Sequence, residues 1–330
     1  MKSIVVFKTA FNYHKARWQT LAAEHGYNLI VSDPKSHREF LDCLRSTNAE
    51  ILVNSWVQSI QMGGWTKELI SQMKFKAVIH QGAGYDILGD INAWMDTGAI
   101  IANAPTHVAP ATADTAIYLM LASMRDFHQF TQSLRRGEWS RNMNIHRCHD
   151  PQGKVLTIIG MGNVGKKIRD RALPFGFKKI QYSNRSRLPV LEEGGANYVD
   201  LETAWKTSDV IILSCPYNKE THHLLSKAEI EKCKDGVVIV NVSRGGVIHE
   251  QSLVDGLKSG KVMSVGLDVF EHEPKVHPDL LSNEHVYLLP HAGAHTEETW
   301  SNVERQLLEN VESVLLNGSV LTPIPEMRTK

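Results

Sequence analysis

The chain has 330 residues, too many for one ordinary hydrophobic core and enough for two domains. Hydrophobic residues make up 42% and charged residues 22%, the balance of a folded globular protein rather than a disordered or membrane-embedded one. Its 36 basic residues offset 36 acidic ones, so net charge offers no pull towards nucleic acid or an anionic membrane, although a local basic patch could still hold a small anion.

From Met1 the chain runs straight into an apolar strand-like stretch, so no signal peptide is expected. No apolar run approaches the ~20 residues of a membrane helix. Four scattered cysteines (Cys43, Cys148, Cys215, Cys233) form no CxxC pair and read as reduced thiols of a cytoplasmic protein. In chain order, β-branched runs predict strands over Ile4–Lys8, Leu29–Ser32, Ile51–Asn54, Ala77–Gln81 and Ile100–Asn103. A second series covers Val155–Gly160, Lys179–Asn184, Val210–Cys215, Val237–Val242, Val262–Val269 and Val286–Leu289. Their hydrophobicity is continuous, as in parallel strands buried on both faces. Helices are expected over Ala109–Phe127, with Pro110 in its first turn, and over Glu297–Leu316, with Thr296 as N-cap and Gly318 beyond the end.

The fold class expected is therefore α/β, with two doubly wound parallel-sheet lobes. Residues 105–291 would form a Rossmann cofactor domain inserted into a flavodoxin-like catalytic domain made of 1–104 and 292–330.

The strand Val155–Ile159 leads into Gly160-Met-Gly162-Asn163-Val164-Gly165 and then a helical run. A lone GxGxxG is weak, but between strand and helix it is the dinucleotide fingerprint. Gly160 serves the tight turn, Gly162 the approach of the pyrophosphate, and Gly165 the packing of helix on strand. The helix start offers N–H groups and partial positive charge to the anion. At the end of the next strand an acidic residue would accept the ribose hydroxyls of NAD. Here Asn184, Arg185 and Arg187 stand instead, and guanidinium forks suit a 2′-phosphate. NADP(H) is the preferred cofactor expected, with NAD(H) possible; in the rival reading both arginines are ordinary surface residues.

Three later segments carry groups suited to carbonyl reduction: Val240–Gly246 with Val242 and Arg244, Gly266–Pro274 with Asp268, Glu271 and Glu273, and Leu289–Gly293 with His291. An arginine fork holds a planar carboxylate, a histidine can protonate a carbonyl oxygen as it gains charge, and a carboxylate beside that histidine stabilises its imidazolium. Arg244, His291 and Glu273 can fill these roles. Physics alone does not separate Glu271 from Glu273, and with 16 histidines in the chain a single one is more often structural.

These segments, with Gln81-Gly-Ala-Gly-Tyr-Asp86, stand in an order and spacing that resembles the D-isomer-specific 2-hydroxyacid dehydrogenases, closest in pattern to NADP-preferring glyoxylate/hydroxypyruvate reductases. The resemblance implies that Arg244 and His291 contact a 2-oxo acid, that His291 is the acid/base, and that Glu273 is its partner. It implies further that Asp268 holds the nicotinamide carboxamide, with His291 and Gly293 nearby. Thr112 would lie near the cofactor phosphates, and Cys215, Pro216 and Val242 against the cofactor. The backbone N–H groups of Ala83 and Gly84 would grip the substrate carboxylate. A homodimer is implied too, embraced by the arm Arg136–Ser140 around Trp139. Ser55 and Trp56 follow the third strand, where similar enzymes place pocket walls; core packing is the rival reading for Trp56. Bulkier aromatic or branched 2-oxo acids are the alternative substrates, and a nucleotide-binding corepressor the alternative role. Formate dehydrogenases share the fold but carry glutamine where Glu273 stands. His146, Cys148, His149 and Asp150 are too tightly spaced for a metal site, and His222-His223 reads as surface.

Overall fold

The computed structural model describes residues 1–139 and 145–328. The chain divides into two units, the first made of Met1–Val108 and His295–Lys330, the second of Ala109–Ala294. Among the described residues no helix is long and apolar enough to cross a membrane.

Unit 1 holds five parallel strands, β1 (Lys2–Phe7), β2 (Tyr27–Ser32), β3 (Asn48–Ser55), β4 (Ala77–Gln81) and β5 (Ile100–Ala102), in the order β2-β1-β3-β4-β5. This is the flavodoxin-like order. Every residue of β4 and all but the first of β1 are buried, which explains their unbroken apolar runs. The helix Glu297–Asn317 packs on this sheet and brings back Glu304, 1% exposed. Its carboxylate accepts from the backbone N–H groups of Asn12, Tyr13 and His14 and from the Trp18 indole, clasping the start of the helix Lys15–Glu24. Four N–H donors satisfy a buried anion that would otherwise be costly.

Unit 2 holds β6 (Val155–Ile159), β7 (Lys179–Ser183), β8 (Asn197–Tyr198), β9 (Val210–Leu213), β10 (Val237–Asn241), β11 (Val262–Leu267) and β12 (Val286–Leu288). All are parallel, in the order β12-β11-β10-β9-β6-β7-β8. The order reverses between β9 and β6, the doubly wound switch point at which ligands bind beyond the carboxyl strand ends. Leu119, Met120 and Ile168 from two helices cover one face over Leu156, Ile158 and Val240; Trp205, Ile230 and Leu253 cover the other over Ile211, Ile239 and Val265.

Three expectations shift. The helix read as Ala109–Phe127 stops at Arg125 and a second begins at Phe127. Asp126 between them adopts φ 55°, and its carboxylate accepts from the Tyr287 hydroxyl at 2.5 Å, which turns the chain. β8, two residues long, carries too little pattern to be read. The units part at Val108/Ala109 and Ala294/His295, where the sequence suggested 104/105 and 291/292. Residues 292 and 293 stay with unit 2 because Asp268 accepts their N–H groups.

Candidate active site

Because all strands of unit 2 are parallel, the residues following β6, β7, β9, β10, β11 and β12 come to one edge. After β6, a Cβ on Gly165 would stand 2.1 Å from the Gly160 carbonyl oxygen, so only glycine lets the helix Asn163–Ala172 start this close to the turn. Gly162, by contrast, faces open space, and no side chain caps the helix. An uncapped N-terminus beside open space is a fit for a pyrophosphate. Asn163 and Val164 form the first turn above it. Cys215 lies against this loop, its backbone N 2.5 Å from where a Gly160 Cβ would be. Burial pushes its thiol up to about 11, so it is an apolar wall and not a nucleophile. Pro216 next to it is exposed, and Val242, beyond β10, is buried.

After β7 the three candidates for the ribose separate. Asn184 accepts the Met161 N–H through Oδ1 at 2.7 Å and thereby holds the glycine loop. Arg185 is exposed, with Glu220 a distant 3.9 Å away. Arg187 does not share that freedom: its guanidinium bonds both oxygens of Glu193, at 2.8 and 3.1 Å. Arg187 and the Tyr182 hydroxyl hold the Glu193 carboxyl below the usual carboxylate range. Arg187 thus already has a carboxylate partner six residues on, which the sequence did not announce.

Arg244 follows β10 in a loop tied by Asn241, whose Oδ1 accepts the Ser243 N–H and hydroxyl and whose Nδ2 donates to the Arg244 carbonyl. At Gly245 a Cβ would lie 1.8 Å from the Phe270 carbonyl carbon, so the Arg244 loop is pressed directly onto the loop that carries Glu273. Glu273 accepts the Phe270 N–H through Oε1 (2.9 Å) and the His291 Nδ1–H through Oε2 (2.8 Å). The carboxylate sets the Nδ1–H tautomer and makes Nε2 the atom that carries the transferable proton. His291 itself has φ 53°, unusual for a non-glycine, and is held there by its N–H donating to the Asp268 carbonyl at 2.7 Å.

Asp268, 2% exposed, does more than the sequence suggested: Oδ1 accepts from Ala292 N–H and Oδ2 from Gly293 N–H, fixing the loop on which His291 rides. Burial pushes its carboxyl up against the pull of those two donors. Thr112, in the first turn of its helix, packs near Gly293, and Thr115 donates to the Gly293 carbonyl.

Glu271 and Glu273 are now distinct. Burial opposes ionisation of Glu271, but the Glu250 N–H and His223 carry its carboxyl below the ordinary value. His223 meets Glu271 at 2.6 Å and stacks on His222, with ring centroids 3.7 Å apart; His223 is half-buried rather than a surface residue. Its hydrogen-bond partner lies 48 positions away, beyond the reach of local pattern. Among the described residues no group of three or more His, Cys, Asp or Glu is placed to hold a metal.

In unit 1 the corresponding edge carries Ser55, Trp56 and the loop after β4. Ser55 is fully buried, its hydroxyl paired with that of Thr9, just beyond β1. Trp56 opens the helix Trp56–Gln61 and is half-buried. The carbonyls of Gly82, Ala83 and Gly84 are drawn inward by the Ala104 N–H, the Asn103 amide and His80. With the carbonyls so held, the N–H groups of Ala83 and Gly84 point the other way, the arrangement of an anion nest.

Residues 117–293 match the family described as D-isomer specific 2-hydroxyacid dehydrogenase, NAD binding domain. The chain belongs to the D-isomer specific 2-hydroxyacid dehydrogenases. Glyoxylate reductase 1 of Saccharomyces cerevisiae is 44% identical over 77% of this chain and 73% of its own length. 4-methyl-2-oxopentanoate reductase A of Aspergillus oryzae is 42% identical over 81% and 80%. A glyoxylate reductase from Paecilomyes thermophila superposes with a TM-score of 0.93, at 37% identity, over 99% of each chain. This 2-hydroxyacid dehydrogenase is therefore a nicotinamide-dependent oxidoreductase that interconverts 2-oxo and 2-hydroxy acids.

Proposed function

We propose that the chain uses NADPH to reduce a small 2-oxo acid of the glyoxylate or hydroxypyruvate type to its D-2-hydroxy acid. The Glu273–His291 hydrogen bond carries this reading, because hydride addition to a carbonyl needs a proton donor and formate oxidation does not. When bound, the nicotinamide supplies the hydride. His291 Nε2 delivers the proton to the carbonyl oxygen, and Glu273 stabilises the imidazolium that precedes this. Arg244 holds the substrate carboxylate and polarises the carbonyl; the Ala83 and Gly84 N–H groups are the further carboxylate donors, and Trp56 bounds the side chain. Asp268 orients the carboxamide while steadying the His291 loop. Thr112, Gly160, Gly162, Asn163, Val164, Gly165, Asn184, Cys215, Pro216, Val242 and Gly293 line the cofactor.

Arg185 is the residue assigned to the 2′-phosphate, since Arg187 is committed to Glu193. Arg185→Asp should lower kcat/KM for NADPH about 30-fold, the loss of one charge-assisted pair plus repulsion. Arg187→Ala should alter it less than about threefold while lowering Tm. Equal effects of the two variants would overturn the assignment. Initial rates with NADPH and NADH on glyoxylate, hydroxypyruvate, 4-methyl-2-oxopentanoate and phenylglyoxylate test the whole reading. Failure of NADPH with every acid would sink it, and highest kcat/KM on 4-methyl-2-oxopentanoate would favour the branched-acid reading that the Aspergillus relative supports. The same proposal includes a homodimer through unit 2. Tyr118, Leu134, Trp139 and Ile145 are 57%, 61%, 77% and 74% exposed there, and large apolar side chains left in water support an interface. Ser140, the end of the arm, lies outside the described residues. A monomer mass in sedimentation would remove this part.

A further inference from the structure

His80, one residue before the end of β4, is 1% exposed, and no feature of its sequence neighbourhood marks it as polar machinery. The directions of its hydrogen bonds follow from donor chemistry. The Trp65 indole N–H can only donate, and it points at Ser59 Oγ (3.1 Å) and Asn54 Oδ1 (3.3 Å). Ser59 Oγ, with one hydrogen to give, lies 2.9 Å from Asn54 Oδ1 and 2.8 Å from the Ser55 carbonyl; the donor-only Trp65 N–H facing that same Asn54 atom marks it as the amide oxygen and leaves Nδ2 as the donor. Asn54 Nδ2 lies 2.9 Å from His80 Nδ1, which must then accept. The ring is neutral with its proton on Nε2, and Nε2–H donates to the Gly84 carbonyl at 3.0 Å. A second proton on Nδ1 would confront the amide hydrogens of Asn54.

We propose that the buried relay Trp65/Ser59–Asn54–His80 is a positioning device for the substrate carboxylate: it pins the Gly84 carbonyl, and with it the end of the Gly82–Gly84 loop, whose Ala83 and Gly84 N–H groups are turned outward by the inward hold on the Gly82 and Ala83 carbonyls. The proposal rests on the reading of those N–H groups as carboxylate donors. Two neighbours complete the arrangement. Asn103 Nδ2 holds the Ala83 carbonyl at 2.6 Å and the Ala104 N–H holds that of Gly82 at 2.8 Å, so three consecutive carbonyls are restrained on the same side. The imidazole also lies against Gly82, 3.3 Å from where a Cβ there would stand, leaving the loop little room to turn over. His80 touches neither substrate nor cofactor; it acts through the loop.

The test compares His80→Leu, which fills the ring's space without a donor, with His80→Gln, whose Nε2 amide can still reach a carbonyl. In His80→Leu, KM for glyoxylate should rise about tenfold or more, with kcat and the NADPH Kd each within about threefold. His80→Gln should recover most of that KM. Equal KM values for the two variants, or an NADPH Kd that rises in step with KM, would overturn the proposal. Wild-type protein labelled with 15N-histidine gives a readout independent of any variant's folding: the His80 ring should be the neutral Nε2–H tautomer, and an imidazolium or an Nδ1–H form would overturn the relay. Glyoxylamide, which lacks the carboxylate, separates the two levels. If wild type reduces glyoxylate and glyoxylamide with equal kcat/KM, the carboxylate reading falls and takes this proposal with it. If wild type favours glyoxylate and His80→Leu keeps the full preference, only the role of His80 falls.

Discussion

Replacing His291 by asparagine should lower kcat for 2-oxo acid reduction about a thousandfold, within the range for loss of a positioned proton donor, while NADPH still binds. Asparagine is the informative choice because of the backbone. His291 sits at φ 53°, a conformation that asparagine tolerates better than most side chains. The loop should therefore keep its anchors, the Ala292 and Gly293 N–H groups on Asp268, and the change should isolate proton transfer. Glu273→Gln makes a graded companion. Its amide can still accept the Phe270 N–H, but the charge that stabilises the imidazolium is gone, and kcat should fall about a hundredfold. Rapid-mixing kinetics at saturating NADPH would check both. A His291→Asn protein retaining a tenth of wild-type kcat would remove His291 from the chemistry.

Gly245→Ala should be as damaging from a position that contacts no substrate. Its Cβ would need to occupy space 1.8 Å from the Phe270 carbonyl carbon and 2.2 Å from the Glu271 nitrogen, both backbone atoms that cannot swing aside. Relief requires the Arg244 loop or the Glu273 loop to move. Overpacking alone costs about 1–3 kcal/mol, so Tm should fall. The misalignment should lower kcat/KM at least about a hundredfold, since ångström-scale errors in placing reacting groups have that effect. Gly162→Ala is the control: its Cβ meets open space, so Tm should stay and NADPH affinity should weaken instead. Full activity in Gly245→Ala would show that the two loops are not held together by this contact.

The sheets were legible because parallel strands buried on both faces write themselves as long apolar runs, and the glycine turn stood between a strand and a helix. Bringing Arg244, Glu273 and His291 to one edge follows from that topology. What stayed hidden is a matter of partners distant in sequence. The choice between Glu271 and Glu273 depends on which reaches His223 and which reaches His291, and the two differ only by the turn after β11. Arg187 looked available because nothing in its residue type announces the claim of Glu193 on it. His80 lies inside an apolar strand, where a histidine has no pattern to break. The second task of Asp268, holding the Ala292 and Gly293 amides, depends on partners 24 and 25 positions away.

The Glu304 clasp has a consequence for how the molecule comes into being. Asn12, Tyr13, His14 and Trp18 are synthesised early, but the carboxylate that receives their hydrogens is added almost three hundred residues later. During translation the leading segment emerges without the acceptor for those hydrogens and without the helix that covers β4. Residues 109–294, contiguous in the chain, are complete before the helix Glu297–Asn317 is made, so the clasp can close only after them.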